Sequence, residues 1–235
     1  MAVRPNAPTT PRITSINANA MFVTFEDGPD NGSSIDSRII AYSQTSTTPA
    51  NNTSYPTVLS DGSTSITGLI PGRKYYFWAR THNAIGYSNW SGRGYATTLN
   101  VPDAPTTPLL SSITSTTVDI SWSANGTGGS PITGYQVGYG LAPAGPSTIV
   151  NVSGSSPKVI TGLQPGYFYY FWVRAKNAIG YSPWSSYISH RTVSGAYVKV
   201  DGVWRFAVPY VKVSGVWKVA EPWVRYVGEW KRTTN

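Results

Sequence analysis

Apolar and polar residues alternate in short stretches along the chain, and clusters of Gly, Pro, Asn and Ser separate these stretches. Successive side chains of an extended strand point to opposite faces. Val118, Ile120 and Trp122 therefore share one face, while Asp119 and Ser121 share the other. Many short alternating stretches with frequent turn signals predict antiparallel strands packed face to face as β-sandwiches.

A longer alternating stretch occurs in each half of the chain. One of its two faces carries Tyr75, Phe77, Ala79 and Thr81 in the first half and Tyr169, Phe171, Val173 and Ala175 in the second. The residues between them point the other way, and in the second half they are Tyr170, Trp172, Arg174 and Lys176. We expect the first set to face a core.

The two halves are copies of one module. Ala7–Pro11 recurs 97 residues later as Ala104–Pro108, and Asn83–Ser88 recurs 94 residues later as Asn177–Ser182. The second copy is thus three residues shorter in its middle, which is typical of a loop. The predicted domains are residues 1–99 and 100–193.

Several spaced motifs identify the type of module. Trp122 lies on an early strand, Pro131–Tyr135 opens the next, and Leu163–Gly166 leads into Tyr169. With these motifs the chain resembles fibronectin type III domains, which are immunoglobulin-like β-sandwiches, over roughly residues 4 to 193.

The resemblance implies that Tyr75 and Tyr169 are tyrosine corners, whose hydroxyl groups bond the backbone at a turn. The first copy departs from the pattern, because Phe25 stands where the core Trp is expected and the polar Ser34–Arg38 replaces the Pro-Ile-Thr-Gly-Tyr run. The sequence therefore defines its strand boundaries less well.

From Tyr197 onward the chain consists of three 13-residue units, and we assign residues 194–235 to a C-terminal β-hairpin repeat segment. Each unit has Gly at its sixth and Trp at its eighth position, namely Gly202, Gly215 and Gly228, and Trp204, Trp217 and Trp230. Asp201–Gly202 favours a two-residue type I′ turn and Ser214–Gly215 is compatible with one, whereas Val227–Gly228 fits it poorly.

If each unit is a two-residue hairpin, counting outward from the turn gives its cross-strand partners. The predicted pairs are Tyr197 with Phe206, Lys199 with Trp204, Lys212 with Trp217, and Arg225 with Trp230. A cation therefore faces Trp in every unit. One interpretation is a cation–aromatic pair above a valine face (Val198, Val200, Val203) that packs on a neighbouring unit, and the other is that these aromatic residues form a ligand platform.

An isolated hairpin is marginally stable in water, and 39 residues hold little core of their own. We therefore expect the segment to need a partner surface. That surface is either the same segment of other subunits, which makes the protein a homo-oligomer, or another protein of a larger assembly.

Placed after fibronectin-like domains, the YVKV-x-G-VWK units resemble the C-termini of minor tail proteins of long-tailed bacteriophages, especially those infecting actinobacteria. The resemblance implies a structural or adhesive virion component that is assembled in the host cytoplasm and is extracellular in the mature particle. Its partners would be other tail proteins, further copies of the chain and a host cell-surface glycan. The alternatives are a carbohydrate-binding accessory module of a secreted bacterial enzyme system and a capsid decoration protein.

Another candidate surface lies in the loop after the tyrosine-corner strand of each copy. Its aromatic residues are Tyr87 and Trp90 in the first copy and Tyr181 and Trp184 in the second. These rings could stack on a sugar or dock another protein. The interpretation that we favour is that each Trp folds back over the sandwich edge against Arg80 or Arg174.

Composition and charge narrow the function classes. The chain has no Cys, which excludes disulfides, thiolate metal ligands and a Cys nucleophile. Its net charge is +8, and residues 194–235 carry +4 of that. Interleaved cations and aromatic residues can bind single-stranded nucleic acid, but their alternation in sheet register fits a partner-facing sheet better, so we do not expect a nucleic-acid partner. We expect neither a signal sequence nor a membrane span, since no long apolar stretch occurs.

The sequence carries no recognisable catalytic motif, such as His-x-x-x-His, a glycine-rich phosphate loop or a nucleophile elbow. Of its two histidines, His82 aligns with Lys176 on the outward face of its strand, and we interpret it as a surface residue. Asp27 and Asp30 lie in a Gly/Asn-rich stretch that favours turn chemistry over calcium binding. We therefore expect no enzymatic activity, no cofactor and no metal.

Overall fold

The computed structural model describes residues 1–50, 61–154, 156–207, 210–219, 223–226 and 229–232. Every regular element among these residues is a β-strand, which confirms the all-β class. The chain divides into two compact units, residues 1–100 with 128–130 and residues 101–127 with 131–235.

The first unit contains a β-sandwich of two antiparallel sheets. Its strands are β1 (Arg12–Ile16), β2 (Ala20–Thr24), β3 (Ile35–Ser43), β4 (Ser63–Thr67), β5 (Lys74–Asn83), β6 (Gly86–Tyr87) and β7 (Gly94–Thr97). One sheet has the order β1-β2-β4, and in the other β3, β6 and β7 all pair with β5. Their inner faces enclose a core of Met21, Val23, Phe25, Ile40, Ile66, Leu69, Tyr75, Phe77 and Ala79.

The second unit contains a sandwich of the same design. Its strands are β8 (Leu109–Ser111), β9 (Val118–Ser121), β10 (Gly134–Gly140), β11 (Thr148–Val152), β12 (Lys158–Ile160), β13 (Phe168–Lys176) and β14 (Ile188–Arg191). The sheets have the orders β12-β9-β8 and β11-β10-β13-β14. The core contains Val118, Ile120, Trp122, Val137, Val152, Ile160, Leu163, Tyr169, Phe171 and Val173.

The landmarks of the fold occur where the sequence predicts them. The Ile70 amide donates to the Tyr75 hydroxyl oxygen at 3.0 Å, and the Gln164 amide donates to that of Tyr169 at 3.0 Å, so both tyrosine corners are confirmed. Phe25 is buried in the first core, just as Trp122 is in the second. The aromatic residue differs between the copies, but its role as a core anchor is the same.

The outward faces of β5 and β13 are less exposed than strand alternation alone predicts. Trp78 and Trp172 point away from the cores, yet only 2% and 5% of their surfaces are exposed. Arg80, also on the outward face, is 4% exposed. A second layer of side chains therefore covers these faces.

Three separate hairpins follow the second sandwich. They pair β15 (Ala196–Val200) with β16 (Val203–Ala207), β17 (Tyr210–Val213) with β18 (Val216–Val219), and β19 (Trp223–Tyr226) with β20 (Glu229–Arg232). The backbone register confirms every predicted pair, which are Tyr197 with Phe206, Lys199 with Trp204, Lys212 with Trp217, and Arg225 with Trp230.

The turns of the first two hairpins have the predicted type I′ geometry. The φ angles are 49° at Asp201 and 79° at Gly202, and they are 51° at Ser214 and 83° at Gly215. Positive φ at both central residues is the signature of this turn, whose twist matches that of the flanking strands. The third predicted turn, Val227–Gly228, lies outside the described residues.

Candidate interaction surfaces

In each sandwich a loop segment runs beside the long strand and is held there by serine side chains. In the second sandwich the Ser182 amide donates to the Ala175 carbonyl at 2.8 Å, while the Ala175 amide donates to Ser182 Oγ at 3.0 Å. Ser185 bonds Val173 in the same two ways, at 2.8 and 3.0 Å. Each serine thus satisfies both backbone groups of one strand residue.

The first sandwich repeats this arrangement. Ser88 exchanges bonds of 2.9 and 3.1 Å with Thr81, and Ser91 exchanges bonds of 2.8 and 2.9 Å with Ala79. All four serines are buried. Because the bonded serines are three residues apart in each loop, the residues just before them project outward at the same spacing.

The outward-projecting aromatic rings enclose an arginine in each sandwich. Arg80 Cζ lies 4.2 Å from the centroid of the Tyr87 ring and 4.5 Å from that of Trp90. Arg174 Cζ lies 4.4 Å from the Tyr181 ring and 4.4 Å from the Trp184 ring. Each such contact contributes about 0.5 to 2 kcal/mol, depending on burial. The favoured interpretation of these loops, that each Trp folds back on an arginine, is confirmed.

The two arginines differ in their hydrogen bonding. Arg174 Nε donates to Gln136 Oε1 at 2.8 Å, and Gln136 Nε2 donates to the Tyr181 hydroxyl oxygen at 3.1 Å. In the first sandwich Ile39 occupies the register position of Gln136, opposite Arg80. Arg80 Nε is buried there without a hydrogen-bond partner among the described residues.

At the start of β5, away from Arg80, the outward face of the first sandwich carries a cluster of cations and aromatic rings. Lys74 Nζ lies 4.2 Å from the Tyr95 ring and 5.3 Å from the Tyr76 ring, and Arg93 Cζ lies 5.0 Å from the Tyr76 ring. The Tyr76 and Tyr95 centroids are 6.3 Å apart. Tyr95 is 60% exposed, so the cluster is open to solvent.

The corresponding end of the second sandwich is aromatic, and its cation is Arg191, which lies opposite Phe168 on β14 and donates from Nε to the Gly166 carbonyl at 2.7 Å. The Tyr187 ring packs edge-on against Tyr170, with centroids 5.2 Å apart, and against Trp172, with centroids 5.9 Å apart. Phe168, on the same strand face, is exposed. The two ends therefore share a backbone arrangement and differ in the positions of their cations.

The hairpins expose apolar side chains. In the first two hairpins the described valines are largely exposed, and they are Val198, Val200, Val203, Val211, Val213 and Val216. Trp217 is 64% exposed, with Lys212 Nζ 5.8 Å from its ring. For the other predicted contact residues, Lys199, Trp204, Arg225 and Trp230, the structure describes only the backbone pairing.

His82, Asp27 and Asp30 each form a contact with another group of the protein. His82 Nδ1 lies 2.7 Å from Asp36 Oδ1, and its ring centroid is 4.4 Å from that of Tyr87, so it caps the arginine stack and is not freely solvated. Asp27 forms an ion pair with Arg38. Asp30 Oδ1 accepts a bond of 3.0 Å from the Gly32 amide, which is the predicted turn chemistry.

Just before β4 of the same sandwich, the Ser63 hydroxyl and amide both donate to Asp61 Oδ1, and these bonds lower the pKa of that carboxyl. In the described part of the chain, no three His, Cys, Asp or Glu side chains come together as a metal site. No helix long and apolar enough to cross a membrane occurs there either.

The sequence prediction did not identify the bridging serines or the cluster of Lys74, Tyr76, Arg93 and Tyr95. The serines had a usable signal, because a Ser-x-x-Ser spacing follows the repeated Gly-Tyr in both copies. The cluster had no such sequence signal, because its residues come from two strands and a loop and are brought together only by folding.

Comparison with known proteins also finds two separate domains in the chain. The model of the fibronectin type III domain family matches residues 6–96 and 103–191. Protein sax-3 of Caenorhabditis elegans is 37% identical over 84 residues, which is 34% of this chain and 7% of the relative. Chitinase A1 of Niallia circulans is 27% identical over 186 residues, which is 75% of this chain and 24% of the relative. The chain thus spans less than a quarter of the length of either protein.

Among solved structures, the fibronectin domains FN1–FN3 of chicken CNTN1 cover 82% of this chain. The match extends over 69% of that structure, with 21% sequence identity and a TM-score of 0.38.

Proposed function

The chain belongs to the fibronectin type III domain family, and from that premise we propose that it is a noncatalytic structural or adhesive component of a bacteriophage tail. The two sandwiches act as spacer or surface-binding modules. The C-terminal hairpins mediate assembly with other tail proteins and with further copies of the chain. The protein assembles in the host cytoplasm and is extracellular as part of the mature virion.

The observation that carries this proposal is the repeated hairpin with exposed apolar residues. Both hairpin turns that the structure describes have the same geometry, and the valines whose side chains it describes in these hairpins are exposed to water. A two-stranded hairpin of four or five residues per strand is marginally stable alone. Burial of these valines against another chain would supply the missing hydrophobic stabilisation.

The repetition itself also supports a role in assembly. Three units of one 13-residue period present similar side chains in succession, so one partner surface could be used three times. Linked weak contacts of this kind bind together far more tightly than any one of them binds alone.

Sedimentation of the full chain and of residues 1–193 tests the proposal. We expect the full chain to associate and the truncated chain to be monomeric with both sandwiches folded. Val200→Asp, which puts a charge on the proposed buried face, should abolish association. Ile149→Asp, at an exposed apolar residue of β11 that lies opposite Gly138, is the control and should leave association unchanged. Equal sedimentation of the two chain lengths would overturn the assembly role.

Mass spectrometry of purified phage particles tests the virion placement separately. The particles should contain the chain in a constant ratio to the other tail proteins. Its absence from particles made in cells that express it would contradict the proposal.

A second function is supported by the match to Chitinase A1. In this alternative the chain is a carbohydrate-binding accessory module of a secreted bacterial enzyme system. A glycan-binding screen separates the two, because a module with only an assembly role has no saccharide preference.

A further inference from the structure

The two sandwiches can be compared at four matching positions, and they carry different residues at three of them. In the first these four are Lys74, Tyr76, Arg93 and Tyr95, and 94 residues later in the second they are Phe168, Tyr170, Tyr187 and Ser189. The strand register confirms the match, since Tyr76 pairs with Tyr95 as Tyr170 pairs with Ser189. One backbone arrangement therefore places Lys74 and Arg93 beside tyrosine rings in the first copy, whereas the second copy has aromatic residues at those positions and an arginine, Arg191, opposite Phe168.

The cations of the first cluster are not neutralised by carboxylates of the described residues. The two ion pairs among the described residues are Arg38 with Asp27 and His82 with Asp36, and neither includes Lys74 or Arg93. Arg93 Nη1 donates one bond of 3.2 Å to the Ser46 carbonyl, which leaves other guanidinium donors available. The sequence of residues 51–60, which lie outside the described residues, contains no acidic residue.

Stacking on tyrosine positions these cations without reducing their charge. Lys74 Nζ and Arg93 Cζ both lie within 5.3 Å of the Tyr76 ring, and both residues are exposed. A cation held over a ring keeps its outward donors for an anion. The neighbouring Tyr95 ring adds an exposed flat apolar surface, to which the C–H face of a sugar ring is complementary.

We propose that Lys74, Tyr76, Arg93 and Tyr95 form a binding site for an acidic polysaccharide, in which the cations bind the carboxylates of uronic acid residues and the tyrosines contact the sugar rings. The equivalent face of the second sandwich has Phe168 and Tyr187 at the positions of Lys74 and Arg93, and its Arg191 bonds the Gly166 carbonyl, so this face does not share the preference. The site goes beyond the assembly role and does not depend on it, because it lies wholly in the first sandwich.

A pair of probes that differ only in charge tests this site. Titration calorimetry of the full chain is done with an oligogalacturonate and with the same oligosaccharide fully methyl-esterified, which keeps the rings and removes the charge. We expect the acidic form to bind at least ten times more tightly and to weaken as salt is raised.

Residue exchange between the two sandwiches supplies matched variants. Lys74→Phe with Arg93→Tyr replaces the two cations by the residues that the second sandwich has at those positions, and we expect at least a tenfold loss of affinity. Phe168→Lys with Tyr187→Arg and Ser189→Tyr makes the reverse exchange in full and should add a second site. Arg12→Gln with Lys158→Gln removes the same charge elsewhere and should leave affinity within twofold.

Three results would overturn the proposal. They are equal affinity for the acidic and esterified probes, unchanged affinity after the Lys74 and Arg93 exchange, and an equal loss in the Arg12 and Lys158 control. Sedimentation of the same variants keeps the two proposals apart, since none of these substitutions touches the hairpins. If the chain binds the glycan but does not associate, only the assembly proposal fails. If it associates but does not bind the glycan, only the polysaccharide site fails.

Discussion

Trp122 anchors the second core, where its ring lies 5.4 Å from that of Tyr135 and is almost fully buried. Trp122→Ala leaves a cavity that the surrounding strands fill only in part, so we expect a loss of about 3 to 5 kcal/mol from the stability of the second sandwich. Thermal unfolding measures this loss.

His82→Ala is the contrasting variant. His82 contacts Asp36 and Tyr87 at the partly exposed end of the arginine stack, so its loss should cost less than about 1 kcal/mol. If Trp122→Ala unfolds at the wild-type temperature, the strand and core assignment is wrong.

Ser185 tests the loop that supports the outward face. Its hydroxyl accepts the bond of the buried Val173 amide, so Ser185→Ala leaves that amide unpaired. We expect a loss of about 1 to 3 kcal/mol in the free energy of unfolding. Ser186→Ala changes the next, exposed serine and should be neutral, and equal effects of the two substitutions would contradict a bridging role for Ser185.

At the scale of the element, the hairpin turns are the most demanding local structures in the chain. Gly202 has a φ of 79°, which a β-branched residue adopts only with strain. Gly202→Val should therefore disorder the first hairpin and weaken association of the full chain, whereas Gly202→Asn tolerates the left-handed region and should retain both. Sedimentation of the two variants distinguishes a backbone requirement from a simple loss of glycine.

The hairpins also show which elements a sequence can predict in detail. An Asp-Gly pair between alternating strands sets both the turn type and the register, so counting outward from Gly202 places Lys199 opposite Trp204. No tertiary contact is needed for that inference. The covered outward faces of β5 and β13 lie beyond this kind of reasoning, because burial of Trp172 depends on a loop that serine side chains hold in place.

At the scale of the whole molecule, the internal repeat is the sequence feature that predicts most of the fold. Two copies of one module predict two similar sandwiches, and both tyrosine corners follow from the motif. The cationic cluster could not be predicted in this way, since Arg93 comes from a loop and Tyr95 from a neighbouring strand. Only the folded chain places them beside Tyr76 and shows that the two copies differ there.

The central claim is that contact with other chains orders the C-terminal hairpins. Hydrogen exchange of the full chain, measured at several protein concentrations alongside its sedimentation, tests this claim directly. We predict that the amides of β15 to β18 are weakly protected in the monomer and become protected as the chain associates, while those of β5 and β13 stay protected throughout. Full protection of the hairpin amides in a monomeric chain would contradict the claim.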